Sequence, residues 1–269
     1  MTVSVTQRWR RRRDSYRPAG EPIVTRQYEV APIADDNTTK AFVEQHHYSG
    51  SYPAARFRFG LYHRSELVGV AVFSHPCSDK VLTSVFPVPP REAAELGRFV
   101  LLDQVPANGE TWFLARAFEL LRQDLVGVVS FSDPIPRTTA RGRVVFPGHL
   151  GTIYQAHNAA YLGRGTARTL RLLPDGRVFS ARAAQKIRKV ERGWRYSAQM
   201  LIEAGAPPLA GDPSAWLRTW LPRLTRTIRH PGNHRYAWPL DRALRGRLPV
   251  AQAYPKRQPE LLDLLRAAA

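Results

Sequence analysis

Hydrophobic and polar positions change rhythm several times along the chain, and each rhythm predicts an element. Residues 23–30 alternate as a strand does, and Asp35, Asp36 and Asn37 ahead of Thr39-Lys40-Ala41-Phe42-Val43 supply a helix start of the capping kind. His46-His47-Tyr48-Ser49-Gly50 closes that helix. Residues 55–63 and 67–74, joined by Arg64-Ser65-Glu66, read as a β-hairpin with Phe57, Phe59 and Leu61 on one face. A strand at 96–102, the loop 103–110, a helix from Thr111 to Arg122 and a strand at 126–132 then make a β-loop-α-β crossover. Residues 151–162 read as a second helix and 166–173 as another strand, ended by Pro174-Asp175-Gly176. A meander followed by a βαβ unit predicts an α+β domain with a mixed central sheet.

Beyond residue 177 the texture changes. Residues 181–192 are helical and basic, and Trp216-Leu217-Arg218-Thr219-Trp220-Leu221 begins another helix after Asp212-Pro213. The expected organisation is therefore a basic flexible arm at 1–22, a catalytic domain at 23–176 and an arginine-rich helical extension at 177–269 packed on that core. With 269 residues the chain can bury one core of about 150 residues plus such an extension, or form two small domains.

Charge sharpens this picture. Lys+Arg 40 against Asp+Glu 22 leaves +18, mostly as arginine, whose planar fork of donors suits phosphate. A GC-rich genome accounts for arginine in place of lysine but not for the excess over acids, so a nucleic acid is the first expected partner. The single cysteine, Cys77, excludes an internal disulfide and a multi-cysteine zinc site, in keeping with a reducing cytoplasm. No window approaches the ~18 apolar residues of a membrane span. The N-terminus has no apolar signal core, because Trp9 is the only large apolar side chain in 7–13.

Several clusters can carry chemistry. Asp133 follows an apolar strand at its C-terminal end, where a carboxylate acts as a base or holds a polar substrate; Asp133-Pro134 equally opens a turn. His149 lies between Gly148 and Leu150-Gly151, where backbone can approach a ligand, although a lone loop histidine also reads as a surface residue. Tyr154, His157 and Tyr161 recur at helical spacing, as a base-contacting face or as a stripe packed on the sheet. His47-Tyr48 leads into Ser49-Gly50-Ser51-Tyr52-Pro53, a loop able to close over a pocket; the alternative is a pair that ends a helix. Asn108-Gly109-Glu110-Thr111 stands at a helix N-terminus, suited to phosphate or an anionic intermediate, with Thr111 as the expected cap. His149, Asp133 and His47 match a two-histidine, one-carboxylate metal arrangement. No Ser/His/Asp order, HExxH or Walker loop stands out, which weighs against hydrolase and kinase readings.

Assembled in order, these residues resemble the Mom family of phage DNA-modification proteins, related to the GNAT acetyltransferase fold. The resemblance runs through His47-Tyr48-Ser49-Gly50, Leu96-Gly97-Arg98-Phe99-Val100, Asn108-Gly109-Glu110-Thr111, Ser130-Phe131-Ser132-Asp133-Pro134, Gly148 to Asn158, Tyr161-Leu162-Gly163 and His234-Arg235-Tyr236. It implies a GNAT-like mixed sheet flanked by helices, and conversion of adenine N6 in DNA to a carbamoylmethyl derivative that shields phage DNA from restriction. His47, Tyr48, Asp133 and Tyr154 would form the functional cluster with His149 beside it: Asp133 as base, His47 and Tyr48 positioning the donor group, Tyr154 contacting the base. An extruded adenine would rest on Tyr154, Tyr161 or a lid containing Tyr52. Arg10, Arg11, Arg12, Arg13, Arg137, Arg141, Arg182, Lys186, Arg188, Lys189, Arg192, Arg235 and Tyr236 would hold double-stranded DNA.

By the same kinship, acetyl-coenzyme A or a related donor would bind at Asn108, Gly109, Glu110 and Thr111, Fe(II) is a further candidate, and relatives suggest a homodimer in the cytoplasm of the infected host. Two departures stand out. Residues 135–147 separate Asp133-Pro134 from Gly148-His149, and the glycine-rich pyrophosphate loop of GNAT proteins is reduced to Gly109. The rival expectations are a GNAT acyltransferase acting on an amine of tRNA or protein, and a non-catalytic DNA-binding protein.

Overall fold

The computed structural model describes residues 5–10, 13–18 and 21–256. Strands β1 (Val5–Arg10) and β2 (Arg13–Pro18) pair antiparallel. After β3 (Tyr28–Pro32), helix α1 (Asp36–His46) precedes the hairpin β4 (Ala55–His63) and β5 (Glu66–Ser74). The short α2 (Lys80–Thr83) leads to β6 (Ala93–Leu101), and α3 (Gly109–Leu121) crosses over to β7 (Gly127–Ser132). Then come β8 (Arg137–Thr138), β9 (Val144–Phe146), α4 (Thr152–Ala156), β10 (Ala160–Arg164), β11 (Arg168–Leu172) and β12 (Val178–Phe179). Helices α5 (Ala181–Lys189), α6 (Trp194–Glu203) and α7 (Pro213–Leu224) precede β13 (Arg226–His230) and β14 (His234–Pro239).

The chain divides into two compact units. The first gathers the described residues of Met1–Pro134, His149–Arg164 and Asn233–Ala269; the second is made of Ile135–Gly148 and Gly165–Gly232. The division therefore differs from the linear one expected at residue 176. Its cause is β14, whose alternating His234, Tyr236 and Trp238 are buried and return the chain to the first unit's sheet.

In the first unit seven strands run in the order β10-β14-β7-β6-β5-β4-β3. All pairs are antiparallel except β6 and β7, as the crossover through α3 requires. That parallel pairing runs only from Ala93 opposite Gly127 to Glu95 opposite Val129. Past those residues β6 stays bonded to β5 and β7 to β14, so the two strands part company in mid-sheet. One face of the sheet packs Phe113, Leu114, Ala117, Phe118 and Leu121 of α3 against Phe73, Leu96, Val128 and Trp238. The other face packs Val43 of α1 with Val70, Val72 and Val100.

A β-bulge interrupts β6. Val72 and Phe73 of β5 lie opposite Arg98 and Leu96, which leaves Gly97 as the additional residue on β6. Leu96 consequently belongs to the α3 side. Arg98 lies opposite Val72 and so emerges on the α1 side.

The second unit has its own core, in which Leu173, Phe179, Ile187, Leu201, Trp216 and Leu217 are buried among α5, α6 and α7. Its three-stranded sheet runs β12-β11-β13, and β8 pairs with β9.

Three local expectations are corrected. The helix expected over 151–162 is only α4, because Asn158 adopts the left-handed region and β10 follows. Tyr161 is thus a strand residue and shares no helical face with Tyr154 and His157. The arm expected to be flexible is a strand pair in its described residues, with Arg8 buried against Glu110. Asn108 and not Thr111 holds the N-cap position of α3, with no side-chain capping bond, and the Thr111 hydroxyl donates to the Asn108 carbonyl.

Candidate active site

The site begins at the two ends of α1. Asp35 accepts hydrogen bonds from the backbone N–H groups of Asn37 (3.1 Å) and Thr38 (2.8 Å), and His47 ends the helix by donating its own N–H to the Val43 carbonyl (2.9 Å). His47 Nδ1 accepts from the Ser49 backbone N–H at 3.1 Å, so the neutral ring carries its proton on Nε2. Burial holds this imidazole well below its ordinary range, and the neighbouring Arg98 and His149 push the same way. The Tyr48 ring lies 4.1 Å from that of His47, and its hydroxyl is 3.4 Å from His149 Nε2.

His149 reaches this point from a loop built on left-handed glycines, Gly148 (φ 75°) and Gly151 (φ 73°), and its N–H bonds the Asp133 carbonyl at 2.8 Å. A Cβ on Gly151 would come within 2.8 Å of both the Tyr154 and Tyr236 rings, so a side chain there would push the loop off the sheet.

The bulge on β6 completes the cluster. Glu95 and Arg98 lie opposite Ser74 and Val72, which are two apart on β5 and share a face. Arg98 Nε and Nη2 donate to the Ser51 carbonyl and hydroxyl, each at 2.8 Å, and so fix the loop that follows His47-Tyr48. Burial raises the Glu95 carboxyl, against the opposing pull of Arg98. Burial also raises the Tyr154 phenol, opposed by a hydrogen bond with Ser130 and by Arg98 and reinforced by Glu95. Arg98 is lowered by burial and supported by Tyr48, Glu95 and Tyr154. His47, Tyr48, Glu95, Arg98, His149 and the Tyr154 hydroxyl are therefore electrostatic neighbours beside the point where β6 and β7 separate.

Of the residues expected from the sequence, His47, Tyr48, His149 and Tyr154 come together, and Asp133 adjoins them through its carbonyl. Sequence reasoning passed over Glu95 and left Arg98 without a role. Residues three apart in a regular strand face opposite ways, and the available signal was the isolated Gly97, which marks a bulge.

Other expectations are corrected by burial. The Tyr154 ring packs edge-on against Tyr236 and Trp238 at 5.4 Å each, so it offers the site a hydroxyl and no stacking surface. Tyr161 is buried and bonds His234 Nδ1 at 2.8 Å. Tyr52 donates to Asp36 at 2.7 Å, which ties it to α1. Tyr236, expected against nucleic acid, is fully buried; its hydroxyl donates to the Leu150 carbonyl and accepts from Gln155. Arg137 lies 4.5 Å over the Phe146 ring, and half-buried Arg235 donates toward Ser84.

The exposed basic expectations are Arg141, Arg182, Arg188, Lys189 and Arg192, with Lys186 half-buried. Arg10 and Arg13 pair across the β1–β2 hairpin, whereas Arg11 and Arg12 lie outside the described residues. Among the described residues no group of three His, Cys, Asp or Glu side chains could hold a metal ion, so the set Asp133, His149 and His47 does not fit one. No helix of the described residues is long and apolar enough to cross a membrane.

Among curated proteins no match to the chain was found. Among solved structures, a tandem GNAT protein from the clavulanic acid biosynthesis pathway, without AcCoA, is similar at 12% identity and a TM-score of 0.36. That likeness covers 64% of this chain and 63% of that protein. The model of the Mom protein family matches residues 27–256, a span that takes in both units and every member of the cluster. On that extent of match, the chain belongs to the Mom protein family.

Proposed function

We propose that the chain is a DNA-modifying transferase that converts adenine N6 to an N6-carbamoylmethyl derivative. Family membership supports a role in phage DNA modification, and the observation that carries the reading further is the convergence of Glu95, Arg98, His47, Tyr48, His149 and the Tyr154 hydroxyl. In this reaction a bond forms between N6 and the methylene carbon of the transferred group, the donor's leaving group departs, and one N6 proton must go to a base. The N6 lone pair is delocalised into the purine ring, so orientation and proton removal are what a protein can supply.

Glu95 is the base in this reading. Burial raises the pKa of its half-buried carboxyl, which makes it a stronger base than an ordinary carboxylate. Asp133, the base expected from the sequence, stands next to His149 and is the alternate; separate Glu95→Gln and Asp133→Asn variants distinguish them. His47 presents Nε2–H and burial keeps the Tyr154 phenol protonated, so these donors, with the Tyr48 hydroxyl beside them, can orient the amide of the transferred group. Arg98 fixes the loop after Tyr48 and holds positive charge beside Glu95.

Binding to DNA is assigned to the second unit. It holds sixteen Lys and Arg against four Asp and Glu, a surplus of twelve within the chain's +18. All four acids are already engaged: Asp175 and Glu203 with Arg177, Glu191 with Arg182, and Asp212 as the cap of α7. A depression of about 370 Å³ on α5 is lined by Arg182, Gln185, Arg188 and Lys189. Exposed arginines with few competing acids favour phosphate contact.

Nucleoside mass spectrometry of DNA co-expressed with the chain tests the proposal. Deoxyadenosine heavier by a carbamoylmethyl group is expected. Acetylated tRNA or protein with ordinary DNA nucleosides would instead select the acyltransferase reading, and no covalent product at all would select a binding protein.

A further inference from the structure

The loop between β6 and α3 is where kinship with GNAT proteins would seat a coenzyme pyrophosphate. Such a cradle turns backbone N–H groups toward the anion. Here the polarity is inverted. The carbonyls of Leu102, Val105 and Pro106 converge on the guanidinium of Arg8, which arrives from β1. Arg8 Nε donates to Glu110 Oε1 at 2.8 Å, and both side chains are 4% exposed. A planar fork is what spans four acceptors in different directions, and a lysine ammonium on a single stem is not.

The rest of the loop is closed as well. The Asn108 side-chain oxygen accepts the Ile23 backbone N–H at 2.8 Å, and a Cβ on buried Gly109 would meet Val105, Leu101 and Ile23. Glu110 Oε2 is buried without a hydrogen-bond partner among the described residues, so an incoming phosphate would face an uncompensated carboxylate oxygen.

We infer that the β6–α3 loop is a receptor for the chain's own Arg8 and not for a coenzyme phosphate. Glu110 and the carbonyls of Leu102, Val105 and Pro106 lock β1 onto the start of α3 through Arg8, Asn108 ties the loop to Ile23, and any phosphate-bearing donor is held by other residues. The inference does not depend on the adenine reading, since it concerns only what this loop binds.

Amide hydrogen exchange of the full chain tests it, with and without millimolar acetyl-coenzyme A. Exchange over 102–111 is expected to be the same in both, whether or not the compound binds elsewhere. Slower exchange confined to those amides on adding it would overturn the inference. In parallel, Arg8→Lys is expected to speed exchange over 102–111 by about tenfold or more, and an unchanged rate would overturn the assignment of Arg8. Should that variant fail to fold, the comparison on the natural chain still decides. DNA nucleosides are scored separately, so failure here leaves the proposed reaction standing.

Discussion

The two units share the cationic excess unequally: sixteen Lys and Arg stand against four acids in the second, and twenty-four against eighteen in the first. In the first, four arginines are tied into the fold: Arg8 meets three carbonyls and Glu110, Arg56 meets the carbonyls of Ala93 and Arg91, Arg58 meets Asp36, and Arg98 meets Ser51, while others such as Arg26, Arg64, Arg122 and Arg245 are exposed. In the second, the acids are consumed by a few partners and Arg141, Arg188, Lys189 and Arg192 face solvent. Of the formal charge of +18, twelve therefore belongs to the second unit and six to the first. Position and partner decide whether a guanidinium builds a fold or holds a ligand.

The contrast between the units is probed hardest at Glu95. If chemistry belongs to the first unit, Glu95→Gln lowers the rate of DNA modification by about 10²–10⁴-fold while DNA affinity stays unchanged; single-turnover assays and filter binding on the same preparation read the two quantities. Next comes the strut. Arg8→Ala strands Glu110 in a buried setting and is expected to cost about 3–5 kcal/mol of stability, read by denaturant unfolding.

A third effect is set by pH. His234 is buried, and burial, aided by Arg164, lowers its pKa to about 4. Its folded value lies below the unfolded one, so as pH falls from about 6.5 toward 4 the unfolded chain gains a proton that the folded chain refuses. Stability should drop by about 3 kcal/mol across that window and level off below it. His234→Gln should flatten this part of the stability profile. The smallest single effects belong to the second unit, where neutralising Arg188, Lys189 or Arg192 should each reduce the slope of log K against log salt by about 0.9 and leave stability unaltered.

Much of the first unit was legible because its sheet is regular. Alternation located the hairpin of β4 and β5, and the charged cluster ahead of Thr39 located the start of α1. His47, Tyr48, His149 and Tyr154 were visible because glycines and aromatic residues flank them. What stayed hidden were departures from period. Glu95 and Arg98 share a face only through the bulge at Gly97, and Tyr161 left the helical face because Asn158 turned the chain into β10. Tyr236 read as an exposed aromatic among cations, yet β14 is an inner strand of the sheet, a long-range pairing that no local pattern announces.

The most direct test of the division between chemistry and grip is mass spectrometry of nucleosides from DNA exposed to the natural chain and to Glu95→Gln in parallel. Carbamoylmethylated deoxyadenosine is expected from the first and ordinary deoxyadenosine from the second, with both proteins bound to DNA equally. Equal modification by the two proteins, or ordinary nucleosides from a folded, DNA-bound natural chain, would contradict that division.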